Sequence, residues 1–277
     1  MHNQPADPMK LIAFDLDGTV LNGEKQVTER TLAAIHRALA AGVYVIPATG
    51  RQFHDVPRPI LDISPPFVIV NNGAQVYKMP EKSLELSKHL EKDTALSLLH
   101  DLRNFKGMIF GAYDMVGVFD NKGRGFEEGI TGRKRTADAW SYPFADIESL
   151  LRDGKHVIKL VMMFEDQAER QRVFDAFLSR KDLYVTYFAD DNIEIMPAGV
   201  GKGNALGFVA ERLGIDMKNV MALGDSDNDK DMILEAGLGI AMGNADENLK
   251  AVADEVTLSC DQDGAALAIE KVLALRQ

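Results

Sequence analysis

Two aspartates, Asp15 and Asp17, stand two positions apart directly after the apolar run Lys10-Leu-Ile-Ala-Phe14. A buried strand ending there delivers both carboxylates onto one loop, and Gly18 lets the backbone turn tightly beside them. A second group of carboxylates, Asp225, Asp227 and Asp229 with Asn228, follows the apolar run Val220 to Leu223. Carboxylates gathered without a matching set of lysines call for a hard cation. Mg2+ fits, because it takes oxygen ligands from one or two carboxylates and fills its other positions with water and substrate phosphate. A carboxylate can also attack phosphorus, and a second one nearby can protonate the leaving alcohol and then deprotonate water. A phosphoryl group in transfer needs donors for its oxygens; the Thr49 hydroxyl, the Gly50 N–H, the Lys202 ammonium and Asn228 are the candidates.

These residues need a scaffold that brings distant segments to one edge. Apolar residues at 32, 35, 39 and 43 after Thr28 predict a helix that stops at Gly42, followed by a strand over 43–46 that ends in Pro47-Ala-Thr-Gly-Arg51. Residues 52–62 read as helix and 67–70 as a strand ending in Asn71-Asn-Gly73. The alternation returns late: helix 202–213, strand 220–223, a polar loop, helix to Ala236 and strand 238–242. Such order predicts an α/β fold, a Rossmann-like three-layer parallel sheet core, with ligands bound beyond the carboxyl ends of its strands. The middle differs in texture, with helix 91–103, extended stretches near 108–119, strand 157–164, helix 166–179 and strand 183–188. We therefore expect a discontinuous catalytic core over 1–82 and 193–277, with an inserted α+β cap domain over 83–192 at one end of the core sheet.

Composition narrows the partners. The 277 residues carry a net charge of −11, with 46% hydrophobic and 26% charged residues, which is ordinary globular usage. A nucleic-acid backbone would be repelled, since Arg133-Lys134-Arg135 is too short to count as a basic patch. The same acidity means that a phosphate site must bring its own positive charge. Cys260 is the one cysteine, which excludes internal disulfides and thiolate-rich zinc sites and points to a reducing compartment. Met1 to Pro8 is polar and is followed by an apolar run too short to span a membrane, so a cytoplasmic protein without a membrane partner is expected. The six histidines show no ligand spacing.

Each motif has a plainer reading. Asp-x-Asp at a strand end can be a turn or a cap, and Thr49-Gly50 a plain strand-to-helix turn. The run from Asp225 mimics a calcium loop but has Lys230 where glycine and Ala236 where glutamate are required. Lys202 sits in Gly-Lys-Gly, yet the upstream glycine of a nucleotide P-loop is Met196 here and the following residue is Gly203. Their joint occurrence at the ends of neighbouring parallel strands is what separates function from accident.

Taken together, Asp15-Leu-Asp-Gly-Thr19, Ala48-Thr-Gly-Arg51, Asn72-Gly-Ala74, Ile195-Met-Pro with Gly201-Lys-Gly203, Gly224-Asp225 with Asn228-Asp229, and Ala241-Met-Gly-Asn-Ala245 resemble the haloacid dehalogenase superfamily. More narrowly they resemble its Cof-type phosphatases, which carry a large α+β cap. The resemblance implies Asp15 as nucleophile and metal ligand, Asp17 as acid/base and as donor of a backbone carbonyl to the metal, and Asp225 as the further metal ligand. It implies phosphate binding by Leu16, Thr49, Gly50, Lys202 and Asn228, with Asp229 behind the metal ligands. Arg51, Asn72 and Gly73, at strand ends, are expected on the substrate side.

The activity expected is Mg2+-dependent hydrolysis of a small phosphomonoester, a sugar phosphate or a phosphorylated cofactor, through an aspartyl-phosphate. A phosphoryl transferase or mutase would use the same nucleophile but needs a second phosphate site in the cap, for which only Arg133-Lys134-Arg135 is at hand. A non-catalytic sensor of phosphorylated metabolites would not need Asp15. In the cap, Tyr113, Trp140, Tyr142, Tyr187 and Phe188 are aromatic candidates for substrate contact.

Overall fold

A computed structural model describes residues 8–113, 116–124, 143–187 and 189–274. The strands are β1 (Leu11–Phe14), β2 (Tyr44–Pro47), β3 (Phe67–Val70), β4 (Gln75–Lys78), β5 (Ser83–Ser87), β6 (Met108–Tyr113) and β7 (Val116–Asp120). They continue with β8 (Phe144–Ala145), β9 (Val157–Met163), β10 (Leu183–Thr186), β11 (Asn192–Pro197), β12 (Val220–Gly224), β13 (Leu238–Ala241) and β14 (Glu255–Val256). The described α-helices are α1 (Glu29–Ala40), α2 (Arg58–Asp62), α3 (Lys92–Leu102), α4 (Ile147–Arg152), α5 (Gln167–Leu178), α6 (Lys202–Leu213), α7 (Lys230–Glu235), α8 (Glu247–Lys250) and α9 (Gly264–Ala274).

The chain forms two compact units, residues 1–87 with 201–277 and residues 88–200. In the first, the sheet runs β14-β13-β12-β1-β2 with every pairing parallel. A parallel bridge from Ala48 to Ile69 carries it on to β3, beyond which β4 and β5 run antiparallel. β1 is completely buried on both faces, as a central strand of an all-apolar run must be. Because β1 to β2 steps one way across the sheet and β12 to β13 the other, right-handed crossovers put α1 and α7 on opposite faces. This makes the chain α/β, with a layered parallel core. The topology reverses at β1, so the loops after β1, β2 and β12 open side by side at the switch point, where ligands of such sheets bind.

Local chemistry agrees with the boundaries. Thr28 caps α1, its Oγ1 accepting from the Thr31 N–H at 3.1 Å, and Gly42 ends the turn beyond α1 at φ 75°. Residues 52–62 are not one helix: a 3-10 turn at Phe53–Asp55 and the short α2 are separated at Pro57, which cannot donate an N–H to a continuing helix.

The second unit is a six-stranded sheet, β10-β11-β9-β6-β7-β8, with α3, α4 and α5 packed on one face through Leu98, Leu99, Leu102, Ile147, Leu151, Val173 and Phe177. Its other face carries a smaller apolar cluster, among it Phe110, Val161 and Met163, and the buried ion pair of Lys159 with Glu194. The expected segment limits need correction. β5 stays with the first unit because it pairs with β4, and β11 lies in the second because it pairs antiparallel with β9 and β10, so the passages fall near 87 and 200 rather than 82 and 193. Among the described residues no helix is long and apolar enough to cross a membrane.

Candidate active site

Among the described residues, all the polar loops that the sequence singles out belong to the first unit. Asp15 continues the ladder of β1, its N–H donating to the Leu223 carbonyl at 3.0 Å, and its side chain is buried at the edge where β1 meets β12. The carbonyl of Leu16 then accepts the N–H groups of Thr19 and Leu21 at 3.3 and 2.8 Å, closing a tight loop. Gly18 stands at φ 81° in that loop, and a Cβ there would lie 2.2 Å from Asp225 Oδ2. Only glycine satisfies both the backbone and the space. Thr19 crosses to the other aspartate group, its hydroxyl donating to Asp225 Oδ1 at 3.0 Å.

After β12, Asp229 organises its own loop. Its Oδ2 accepts the N–H groups of Asp225 and Ser226 at 2.9 and 3.1 Å, while its Oδ1 accepts from Lys202 Nζ at 2.7 Å. Lys202, at the first position of α6 and fully buried, gives a second hydrogen bond to Asp15 Oδ1 at 2.7 Å. Asp15, Asp225 and Asp229 each present an oxygen within 4.8 Å of the others.

The electrostatics are those of a site short of positive charge. Burial drives Asp15 up to about 7 against the pull of Lys202, with Asp229 and Asp17 adding to the rise. Burial also pushes Asp225 up to about 8, with Asp15 and Asp229 as repelling neighbours. Lys202 is held above its ordinary value, since Asp15 and Asp229 outweigh the burial that would lower it. Three carboxylates around one ammonium leave a deficit of two charges when all are ionised. A divalent cation with oxygen ligands matches that deficit, so the donor set fits a metal such as Mg2+.

Asp17 points elsewhere. Its oxygens accept from Arg51 Nε at 2.7 Å, from Arg51 Nη2 at 2.8 Å and from Lys25 Nζ at 3.0 Å. Burial would raise its pKa, but the Arg51 fork and Lys25 outweigh it and hold Asp17 at about 2. Lys25 is a site neighbour that the motifs do not include. The Asn22-Gly23 turn signal preceding it was the available clue, since the hairpin bridged at Leu21 and Val27 is what folds it back.

The donors expected for phosphate form a second group. Thr49 is buried, its hydroxyl accepting the Arg51 N–H at 3.2 Å, and its carbonyl accepts the Asn72 N–H at 3.0 Å. Asn228 Nδ2 donates to Asn72 Oδ1 at 3.1 Å, and a Cβ on Gly50 would lie 2.8 Å from that same oxygen. Asn72 and Gly73, expected on the substrate side, are both buried; Asn72 lies behind Gly50 and Asn228 instead of presenting a free amide. Asn71 and Asn72 both hold left-handed backbone, at φ 49° and 54°, a conformation that costs about 1 kcal/mol or more outside glycine and is kept where packing enforces it. Of the aromatic candidates, Tyr113 is in the core of the second unit and Tyr187 lies under Arg170, while Trp140, Tyr142 and Phe188 fall outside the described residues, as does Arg133-Lys134-Arg135.

A parallel-sheet core with Asp-x-Asp after its central strand, a buried lysine and an aspartate cluster after the neighbouring strand defines a hydrolase class that the comparisons identify. The family model for haloacid dehalogenase-like hydrolases matches residues 12–269, and the chain belongs to that family. The chain is 34% identical over 267 residues to the 5-amino-6-(5-phospho-D-ribitylamino)uracil phosphatase YcsE of Bacillus subtilis (strain 168), covering 94% of each chain. It is 30% identical over 247 residues to the HMP-PP phosphatase of Cronobacter sakazakii (strain ATCC BAA-894), covering 87% of each. A solved haloacid dehalogenase-like hydrolase from B. subtilis superposes with a TM-score of 0.81 at 29% identity, over 95% of this chain and 99% of that one. The named relatives are phosphatases, consistent with a phosphoric monoester hydrolase.

Proposed function

We propose that the chain is a Mg2+-dependent phosphatase of small phosphorylated metabolites, with Asp15 as its covalent nucleophile. The observation that carries this reading is the fully buried Lys202 held between Asp15 and Asp229 at 2.7 Å from each. A lysine buried without function is costly to desolvate, whereas one bound to Oδ1 of a nucleophile orients Oδ2 for attack and offers charge to a phosphoryl oxygen. Asp15 Oδ2 attacks phosphorus, the bond to the leaving oxygen breaks, and that oxygen takes a proton from Asp17. Water, deprotonated by Asp17, then attacks the aspartyl-phosphate and releases phosphate. The acid step requires Asp17 to exchange its Arg51 ion pair for a proton, so Arg51 is assigned to the substrate side, where an incoming anion can draw it away. Thr49, Asn228 and the N–H groups of Leu16 and Gly50 cradle the phosphoryl oxygens. Asp15, Asp225 and the Asp17 carbonyl would hold the metal, arranged by Asp229. The bound ion would neutralise charge on the phosphoryl group in flight.

The relatives' named compounds, a phosphorylated ribitylamino-uracil and HMP-PP, support a small phosphorylated metabolite as the substrate class. We assign substrate selection to the unit of residues 88–200 and the enzyme to the cytoplasm. The test is phosphate release from a panel of sugar phosphates, nucleotides and cofactor phosphates, with Mg2+ or chelator, for the wild type and Asp15→Asn. Metal-dependent turnover lost in the variant is expected; turnover that survives the substitution would remove Asp15 from the mechanism.

A further inference from the structure

Lys202 opens α6 behind Gly201, an N-cap residue with no side chain to offer. The first N–H groups of a helix have no partner within it, so a helix that begins in a buried site needs an acceptor from elsewhere. Here the acceptor comes from the next helix. Asp231, in the first turn of α7, takes the Gly203 N–H on its Oδ2 at 2.9 Å and the Met232 N–H on its Oδ1 at 2.8 Å. One carboxylate thus bridges the N-termini of two helices, giving each N–H an oxygen of its own. The approach is close enough to need glycine twice. A Cβ on Gly201 would lie 2.1 Å from Asp231 Oδ2, and one on Gly203 would lie 2.8 Å from the backbone carbon and oxygen of Asp231.

Two residues earlier, Asp229 holds the Lys202 ammonium. The segment Asp229 to Asp231 therefore grips Lys202 at both ends, one carboxylate on the head of the side chain and the other on the backbone that carries it. Among the described residues no lysine or arginine pairs with Asp231, so it is not there as half of a salt bridge. Gly201, Gly203 and Asp231 read as separate small features in the sequence, and only the packing of α6 on α7 joins them.

We infer that Asp231 is a positioning residue for Lys202: it fixes the start of α6 so that the ammonium reaches Asp15 and the phosphoryl group. The kinetic consequence rests on the phosphatase reading; the clamp itself does not. Displacing a catalytic group by about an ångström can cost up to ~100-fold, so Asp231→Ala and Asp231→Ser should lower kcat/KM by roughly 10- to 100-fold. Asp231→Asn keeps one acceptor and should fall between these and the wild type. The loss should not multiply with that of Lys202→Met, because the two residues act through one ammonium; in that background Asp231→Ala should change kcat/KM by less than about twofold.

Amide hydrogen exchange reads the same clamp without turnover. Protection at residues 202–205 should drop in Asp231→Ala and Asp231→Ser while that of β12 holds. Wild-type kinetics in both variants, or losses that multiply fully with Lys202→Met, would overturn the inference. If the wild-type chain turns over nothing on the panel, the phosphatase reading falls and exchange alone decides: unchanged protection at 202–205 sinks the clamp, and a confined loss of protection sustains it.

Discussion

Replacing Lys202 by methionine keeps much of the side-chain volume and removes the ammonium that, among the described residues, is paired with two of the three clustered carboxylates. Each of its contacts is 2.7 Å long and both ends are nearly or wholly buried. At an effective dielectric near 20, each pair attracts by about 6 kcal/mol, a gain largely opposed by the desolvation of lysine and carboxylates. The net worth of the triad is therefore small, but breaking it is not symmetrical with never forming it. Asp15 and Asp229 would be left buried beside each other, and removal of one partner from a buried pair costs ~3–5 kcal/mol. In a unit of this size that is a fall in Tm of roughly 10 °C. Urea and thermal unfolding in chelator should show this loss, and excess Mg2+ should restore part of it, because a ligand of the folded state alone stabilises by mass action. Turnover should drop by about 100-fold or more, as when a preorganised charge donor is removed. A destabilisation below about 1 kcal/mol in chelator would refute the reasoning, since it would mean that the carboxylates are not electrostatically dependent on Lys202.

Metal affinity should rise with pH across the titration of Asp15 near 7 and Asp225 near 8, with proton release visible by calorimetry in buffers of different ionisation enthalpy. The sign for stability is the reverse: with carboxyl pKa values above the usual 3.8, the metal-free folded state binds more protons than the unfolded chain, so its stability falls as pH rises from about 4 to 8. Denaturation in chelator across that range checks it. Arg51→Met should let the Asp17 pKa climb from about 2 towards 3.8, followed by carboxyl NMR; the stabilisation it removes is present above 3.8 and lost as pH falls through 2. At neutral pH it is worth no more than about 1 kcal/mol, because the Asp17 side chain is 37% exposed. In the second unit, Arg103 ties α3 to the wholly buried Asp120 at 2.8 Å and to Asp146 and Glu148. Arg103→Met should destabilise that unit by ~3 kcal/mol, seen by hydrogen exchange, while metal binding in the first unit is unchanged.

The sequence by itself determined the main parallel strands of the core, the helices 29–40 and 202–213, and the composition of the polar loops. A short all-apolar run such as Leu11 to Phe14, ending in a polar loop with glycine, reads as a buried strand, and Thr28 with Gly42 marks a helix at both ends, because these are local requirements of backbone and burial. The motifs from Asp15 to Ala245 named the family for the same reason: they are short stretches whose chemistry does not depend on what lies opposite. Partnership across the chain was decided by tertiary structure alone. Lys202 meets Asp15 across 187 positions and Arg51 meets Asp17 across 34. Strand order β12-β1-β2 puts those loops side by side, and no periodicity within one segment encodes strand order. The same holds for Asn72, which turns inward to Asn228, for β11, which pairs with β9 instead of joining the core, and for Asp231, an acidic helix residue until α6 packs its first turn against it. Burial of a residue is written in its own neighbourhood, whereas the identity of its partner is a property of two segments and of the packing that joins them.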